Sequence, residues 1–237
     1  EAFNIRFEPE DNDKLSENGV MAEKTMNTLL HVFEAYTELY RVTKDEDVGG
    51  RLRFMLDLIA DRVYNPDLGR QEVFFDRTWN SLIDLYSYGH DIETAWLTDR
   101  GLDVLDDAAY KLKLSPITKE ITKNIYERAY IDHSLVNEAE NGIVDTTRVW
   151  WVQAEAVVGF LNGWQRTPEK KEYLDAAEDI WEFIKTYVVD HRDGSEWYWA
   201  LDQEKKPLEK PIVEPWKCPY HNGRMCIEVI RRTQNVA

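Results

Sequence analysis

Residues 27–42 read NTLLHVFEAYTELYRV. Met26, Leu29, Leu30, Phe33, Tyr36, Leu39 and Tyr40 recur at spacings of three and four, the period of one face of an α-helix. That spacing predicts a helix from about Val20 to Thr43. The same rhythm continues downstream. A second helix is expected from about Asp47 to Tyr64, through Leu52, Met55, Leu56, Ile59 and Val63. Asn65-Pro66-Asp67 ends it, because a residue before proline avoids the helical region. A third begins near Gly89 or His90 with IETAWL and continues or restarts through Leu102, Val104 and Leu105. Ser115-Pro116 is read as the cap and first turn of a fourth. A fifth covers about Trp150 to Gln165, Thr167-Pro168 opens a sixth, and a seventh starts after Pro219. Between them, residues 1–18 and 140–147 read as loops, and EVFFDRTWN (72–80) as a strand or extended loop. Residues 191–207 read as a short hairpin or long loop.

The expectation is therefore an all-α chain, one domain over residues 1–237. Its unit is the helix pair, as in solenoids and α/α barrels. There is no Gly-rich phosphate loop and no dinucleotide fingerprint. A formal net charge of −16 would repel phosphate and anionic membrane surfaces, so neither nucleic acid nor a membrane is expected as partner. The chain contains nine Trp and twelve Tyr. Aromatic faces of that number pack between helices and also stack on sugar rings. Cys218 and Cys226 are too few for a disulfide framework, and a reduced, cytoplasmic setting is expected.

Of five histidines, three have a suggestive context. His31 lies among Leu30, Phe33 and Ala35, with Asn27 one turn earlier on the same face. His90 precedes Glu93 by three residues, so the carboxylate can orient the imidazole. His221 stands just past Pro219 near a helix N-terminus, where the dipole disfavours positive charge. Each also has a plain reading: His31 as a core residue, His90 with Glu93 as a surface pair. No spacing marks a metal site. The residues alone reach a helical enzyme with a candidate histidine site.

Four stretches, 27–42, SYGHDIETAWL (87–97), RVWWVQAEAVVGFLN (148–162) and EPWKCPYHNGRMCIEVIRR (214–232), resemble the cellobiose 2-epimerases of the N-acylglucosamine 2-epimerase superfamily. The resemblance runs over nearly the whole chain. It implies an (α/α)6 barrel with its site in the mouth of the inner ring, and here roughly seven of twelve helices. It implies His90 and His221 as acid/base pair, His31 as a third active-site histidine, and Glu93 as support for His90. Asn27, Trp151, Glu155 and Trp216 fall on sugar-contacting positions. Position 29, a histidine in many relatives, is Leu29. About 150 residues of N-terminal helices, with a sugar-binding arginine, have no counterpart here, at about 30 per helix and loop. Self-association, or a separate N-terminal segment, is expected to cover the inner helices.

The implied activity inverts C2 of the reducing-end sugar of a β-1,4-linked disaccharide. No metal, cofactor or redox group is expected, because two groups of near-neutral pKa on opposite faces of C2 suffice. The same histidines also suit an aldose–ketose isomerase. An α/α barrel can instead host a glycoside hydrolase with paired carboxylates, or the chain can be an inactive sugar-binding remnant.

Overall fold

The computed structural model describes residues 19–234; the loop expected over residues 1–18 lies outside them. Seven α-helices make up most of the described chain, joined by turns and by strands of two or three residues. No helix among the described residues is long and apolar enough to cross a membrane. The chain divides into two compact units. One takes in the residues up to Tyr86 with Leu97–Glu120 and Glu140–Gly142. The other takes in Ser87–Trp96, Ile121–Ala139 and the residues from Ile143 on.

In the first unit, α1 (Met26–Thr43) buries Met26, Leu30, Phe33, Thr37 and Tyr40; of the expected stripe, Leu29 and Tyr36 are half-buried and Leu39 is exposed. Thr25 caps it, its hydroxyl accepting from the Thr28 amide at 3.2 Å. Lys44 ends it in the left-handed conformation, φ 53°, its amide returning to the Tyr40 carbonyl. Asp45 then caps α2 (Glu46–Leu58), accepting from the Asp47 and Val48 amides. The two helices thus form a tight hairpin. Gly49 allows the close approach: a Cβ there would stand 2.8 Å from the Tyr40 ring. A π turn, Ile59–Val63, finishes this run just short of the expected end at Tyr64. The aromatic stretch at 72–80 contributes only Phe74–Phe75, paired antiparallel with Lys24–Thr25.

Two helices have a part in each unit: α3 (Tyr88–Leu105), which continues through Leu102 without restarting, and α4 (Ala108–Arg128). The start expected for α4 at Ser115-Pro116 is wrong. The cap is Asp107, whose carboxylate accepts from the Ala109 amide at 3.0 Å, and Pro116 lies inside the helix. Proline is tolerated there because it is exposed, so water can serve the carbonyl that loses its partner. Tyr110 and Lys113 also tie α4 to Asp57 of α2, at 2.9 and 2.8 Å.

In the second unit, α5 (Trp150–Arg166) is buried on every side from Val152 to Gly163. Such a helix is central rather than amphipathic. Gly159 admits Ile92 and Gly163 admits Thr122 and Tyr173, where any Cβ would collide. α5 packs on α6 (Lys171–Phe183), which buries one face through Tyr173, Ala176, Ala177, Ile180 and Phe183, and on α7 (Tyr220–Thr233). Thr167 closes α5 instead of opening α6, its amide bonding the Trp164 carbonyl at 3.0 Å. The 191–207 stretch is mostly loop. Its Ala200–Leu201 strand pairs with Arg148–Val149 directly before α5, which fixes where Trp150 and Trp151 begin.

Candidate active site

The first turns of α3, α5 and α7 bring the chemistry-bearing residues of the second unit together. At the start of α3, the Oγ of Ser87, the residue just before the helix, and His90 Nδ1 stand 2.7 Å apart. Gly89 precedes His90 because a Cβ there would come within 2.5 Å of the Trp151 ring. The Trp151 indole touches both imidazoles: its centroid is 4.7 Å from His90 and 5.3 Å from His221. Trp150 meets His221 edge-on at 5.5 Å.

One turn beyond Trp151, Glu155 is fully buried. Its Oε1 lies 2.8 Å from His221 Nδ1 and takes a 2.8 Å hydrogen bond from Arg224. Its Oε2 takes one from Trp96 Nε1 at 2.9 Å. Burial alone would raise this carboxyl. The Arg224 guanidinium and the hydrogen bond of His221 outweigh burial and hold it well below the usual carboxylate range. A carboxylate at Nδ1 makes that nitrogen the donor and leaves the basic lone pair at Nε2.

Glu93, also fully buried, accepts a hydrogen bond from Arg224, and its Oε1 lies 3.9 Å from His221 Nδ1. The residue expected to serve His90 is thus engaged with α7. Arg224 lies over the rings of Trp96 and Tyr220, at 5.0 and 4.5 Å. Neither Arg224 nor Trp96 was among the residues expected from sequence. The signal was there, since Arg224 stands three residues after His221 and Trp96 three after Glu93, each on its partner's helix face.

Among the described residues, Glu93, Glu155 and His221 offer ligand atoms within 4.8 Å of one another, close enough for a metal ion. Arg224 already bonds both carboxylates. The guanidinium supplies there the positive charge that an ion would bring.

Trp216 stands 77% exposed in the segment before α7. His31 and Asn27 belong to the first unit. His31 Nδ1 pairs with Glu34 at 3.5 Å, and Asn27 Oδ1 is buried without a hydrogen-bond partner. A cavity of about 490 Å³ bordered by Tyr187, His191, Tyr198 and Lys205 shares no residue with the cluster.

Residues 6–223 match the N-acylglucosamine 2-epimerase (GlcNAc 2-epimerase) family. The chain belongs to that family. It is 49% identical over 233 residues to a cellobiose 2-epimerase of Ruminococcus albus, covering 98% of this chain and 60% of that protein. A solved sugar epimerase from a ruminal bacterium superposes with a TM-score of 0.90 at 50% identity, over 94% of this chain and 57% of that one. A solved D-mannose isomerase shares the fold at TM-score 0.76 and 20% identity, over 88% and 56% of the two chains. The fold class is the (α/α)6 barrel of these epimerases, here incomplete, with seven helices among the described residues. The chain spans about three-fifths of the length of the curated relatives it matches.

Proposed function

We propose that this chain carries the acid/base pair of a sugar epimerase that inverts C2 of the reducing-end aldose of a β-1,4-linked disaccharide such as cellobiose. The observation that supports it is two imidazoles, His90 and His221, against one indole, with His221 backed by a buried ionised carboxylate. The C2 proton of an open-chain aldose is acidic only because the neighbouring carbonyl can take up the charge. One histidine removes that proton and an enediolate forms. The other returns a proton to the opposite face, and the configuration inverts. Ser87 and Glu155 hold the Nδ1 atoms of the two rings and so present each Nε2 to the substrate. Hydrogen-bond donors at the developing oxyanion lower the barrier further.

Cellobiose incubated with the protein in D2O tests this reading. The expected product is the C2 epimer with one deuterium at C2. A ketose product would replace epimerisation by isomerisation, with the proton returned to C1. Cleavage to monosaccharides, or no conversion at all, would remove the proposal.

The two tryptophans should separate binding from chemistry. Trp216, exposed in the segment before α7, is assigned the role of a platform for sugar. Trp216→Ala is expected to raise KM about 3- to 10-fold, the worth of about 0.5–1.5 kcal/mol of stacking, with kcat unchanged. Trp151→Ala removes the neighbour of both imidazoles and should lower kcat as well. Equal effects of the two substitutions on kcat would refute this division.

A further inference from the structure

α7 begins without a cap of the usual kind. Pro219 occupies the cap position, and no side chain there bonds the first turn. Yet this turn carries His221. What fixes it instead is a single carboxylate from the loop before it. Lys217 is fully buried, four residues ahead of His221. Its ammonium bonds Glu196 and the Ile212 carbonyl, the latter at 2.7 Å. Asn222, immediately after His221, donates to Glu196 Oε1 at 2.6 Å. The Trp197 amide donates to Glu196 Oε2 at 2.5 Å. One carboxylate therefore holds the chain on both flanks of His221. The Lys217 ammonium also lies 5.1 Å over the Trp150 ring, which meets His221 edge-on.

A fully buried ammonium is tolerable only when paired, so Glu196 is required wherever Lys217 is buried. The pair makes geometric sense if the backbone between residues 217 and 222 has to be held in one place. We propose that Glu196 is a positioning residue for proton transfer at His221, acting through Lys217 and Asn222. The proposal rests on the epimerase reading above.

The test uses Glu196→Gln, Lys217→Met and the double variant, with three measurements: thermal midpoint, kcat and KM on cellobiose, and the ring nitrogen resonances of His221. Lys217 and Asn222 bond different oxygens of Glu196, and an amide turns one of these acceptors into an NH2 donor, so one of the two contacts is lost. Glu196→Gln should lower kcat about 10²-fold, the scale of an ångström of misplacement, leave KM within a few-fold, and shift the His221 signals. Lys217→Met should do the same. The double variant, with no buried charge left unpaired, should regain the thermal midpoint without regaining kcat, and lose no more activity than the worse single change. Lowered midpoints with wild-type kcat per folded molecule and unmoved His221 signals would overturn the proposal and leave a purely structural ion pair. A wild-type protein that turns over no sugar would overturn the epimerase reading alone. The His221 resonances then decide the positioning role by themselves.

Discussion

In a complete form of the enzyme, His221→Ala is expected to abolish epimerisation, lowering turnover about 10²–10⁴-fold, the usual loss when a general acid/base is removed. His90→Ala is expected to do the same. In the proposed mechanism each imidazole serves one face of C2, so neither can replace the other. The fold should survive both changes. Glu155 keeps Arg224 and Trp96 as partners when His221 is gone, and His90 lies in the first turn of a helix whose next nine residues are buried. The two variants also make a finer prediction. With one base lost, the other can still remove and return a proton on its own face. Each variant should therefore exchange the C2 proton of one epimer with D2O without converting it, and the two variants should exchange opposite epimers. Deuterium uptake followed by NMR, beside a thermal midpoint for each variant, checks this. Near-normal turnover in either variant would remove that histidine from the mechanism. Exchange of the same epimer by both would mean that the two rings do not face each other across the substrate.

The fold was legible because the buried stripes keep their period. Met26, Leu30, Phe33 and Tyr40 mark α1, and Ala177 and Ile180 mark α6 as the spacing requires. The error at Ser115-Pro116 has a clear cause. A Ser-Pro pair carries the local chemistry of a helix start, but an exposed proline within a helix costs only a carbonyl partner that water can replace. Nothing local distinguishes the two cases; the cap at Asp107 does. The histidines were legible only as candidates. Bringing His90, Trp151 and His221 together depends on three helix starts far apart in the chain, and only the resemblance supplied that. Glu93 shows the limit of spacing rules. Its helical neighbour by sequence is His90, and it also accepts a hydrogen bond from Arg224, 131 residues away. A charge that is fully buried takes the partner that tertiary packing provides, because leaving either member unpaired costs more than any contact along one helix returns.

Arg224→Met is expected to be the most destabilising substitution in the site, by about 3–5 kcal/mol near pH 7, as when one partner of a buried ion pair is removed. For a domain of this size that is a drop of roughly 6–20 °C in Tm. Methionine keeps an unbranched apolar chain but not the guanidinium that stands over Trp96 and Tyr220, so the loss falls on the charge, with its ion pairs and its ring contacts. Without the guanidinium, Glu93 and Glu155 are two fully buried carboxylates sharing one imidazole. The sign of the pH dependence follows from Glu155. In the wild type its carboxyl is held below the ordinary 4.5, so the stability it contributes is complete above that value. It is lost as pH falls toward the lower folded value. In the variant, burial and the neighbouring Glu93 push the same carboxyl up instead. The penalty is then largest at neutral pH and shrinks as acid protonates the pair. Wild type and variant should therefore converge in Tm on acidification toward pH 4, and Glu93→Gln added to Arg224→Met should recover part of the loss at pH 7 by removing one of the two charges. Tm curves for the three proteins from pH 4 to 8 decide the matter. Wild-type and Arg224→Met curves that stay parallel across that range would mean that the guanidinium stabilises the site by packing alone, and that Glu155 is not kept ionised by it.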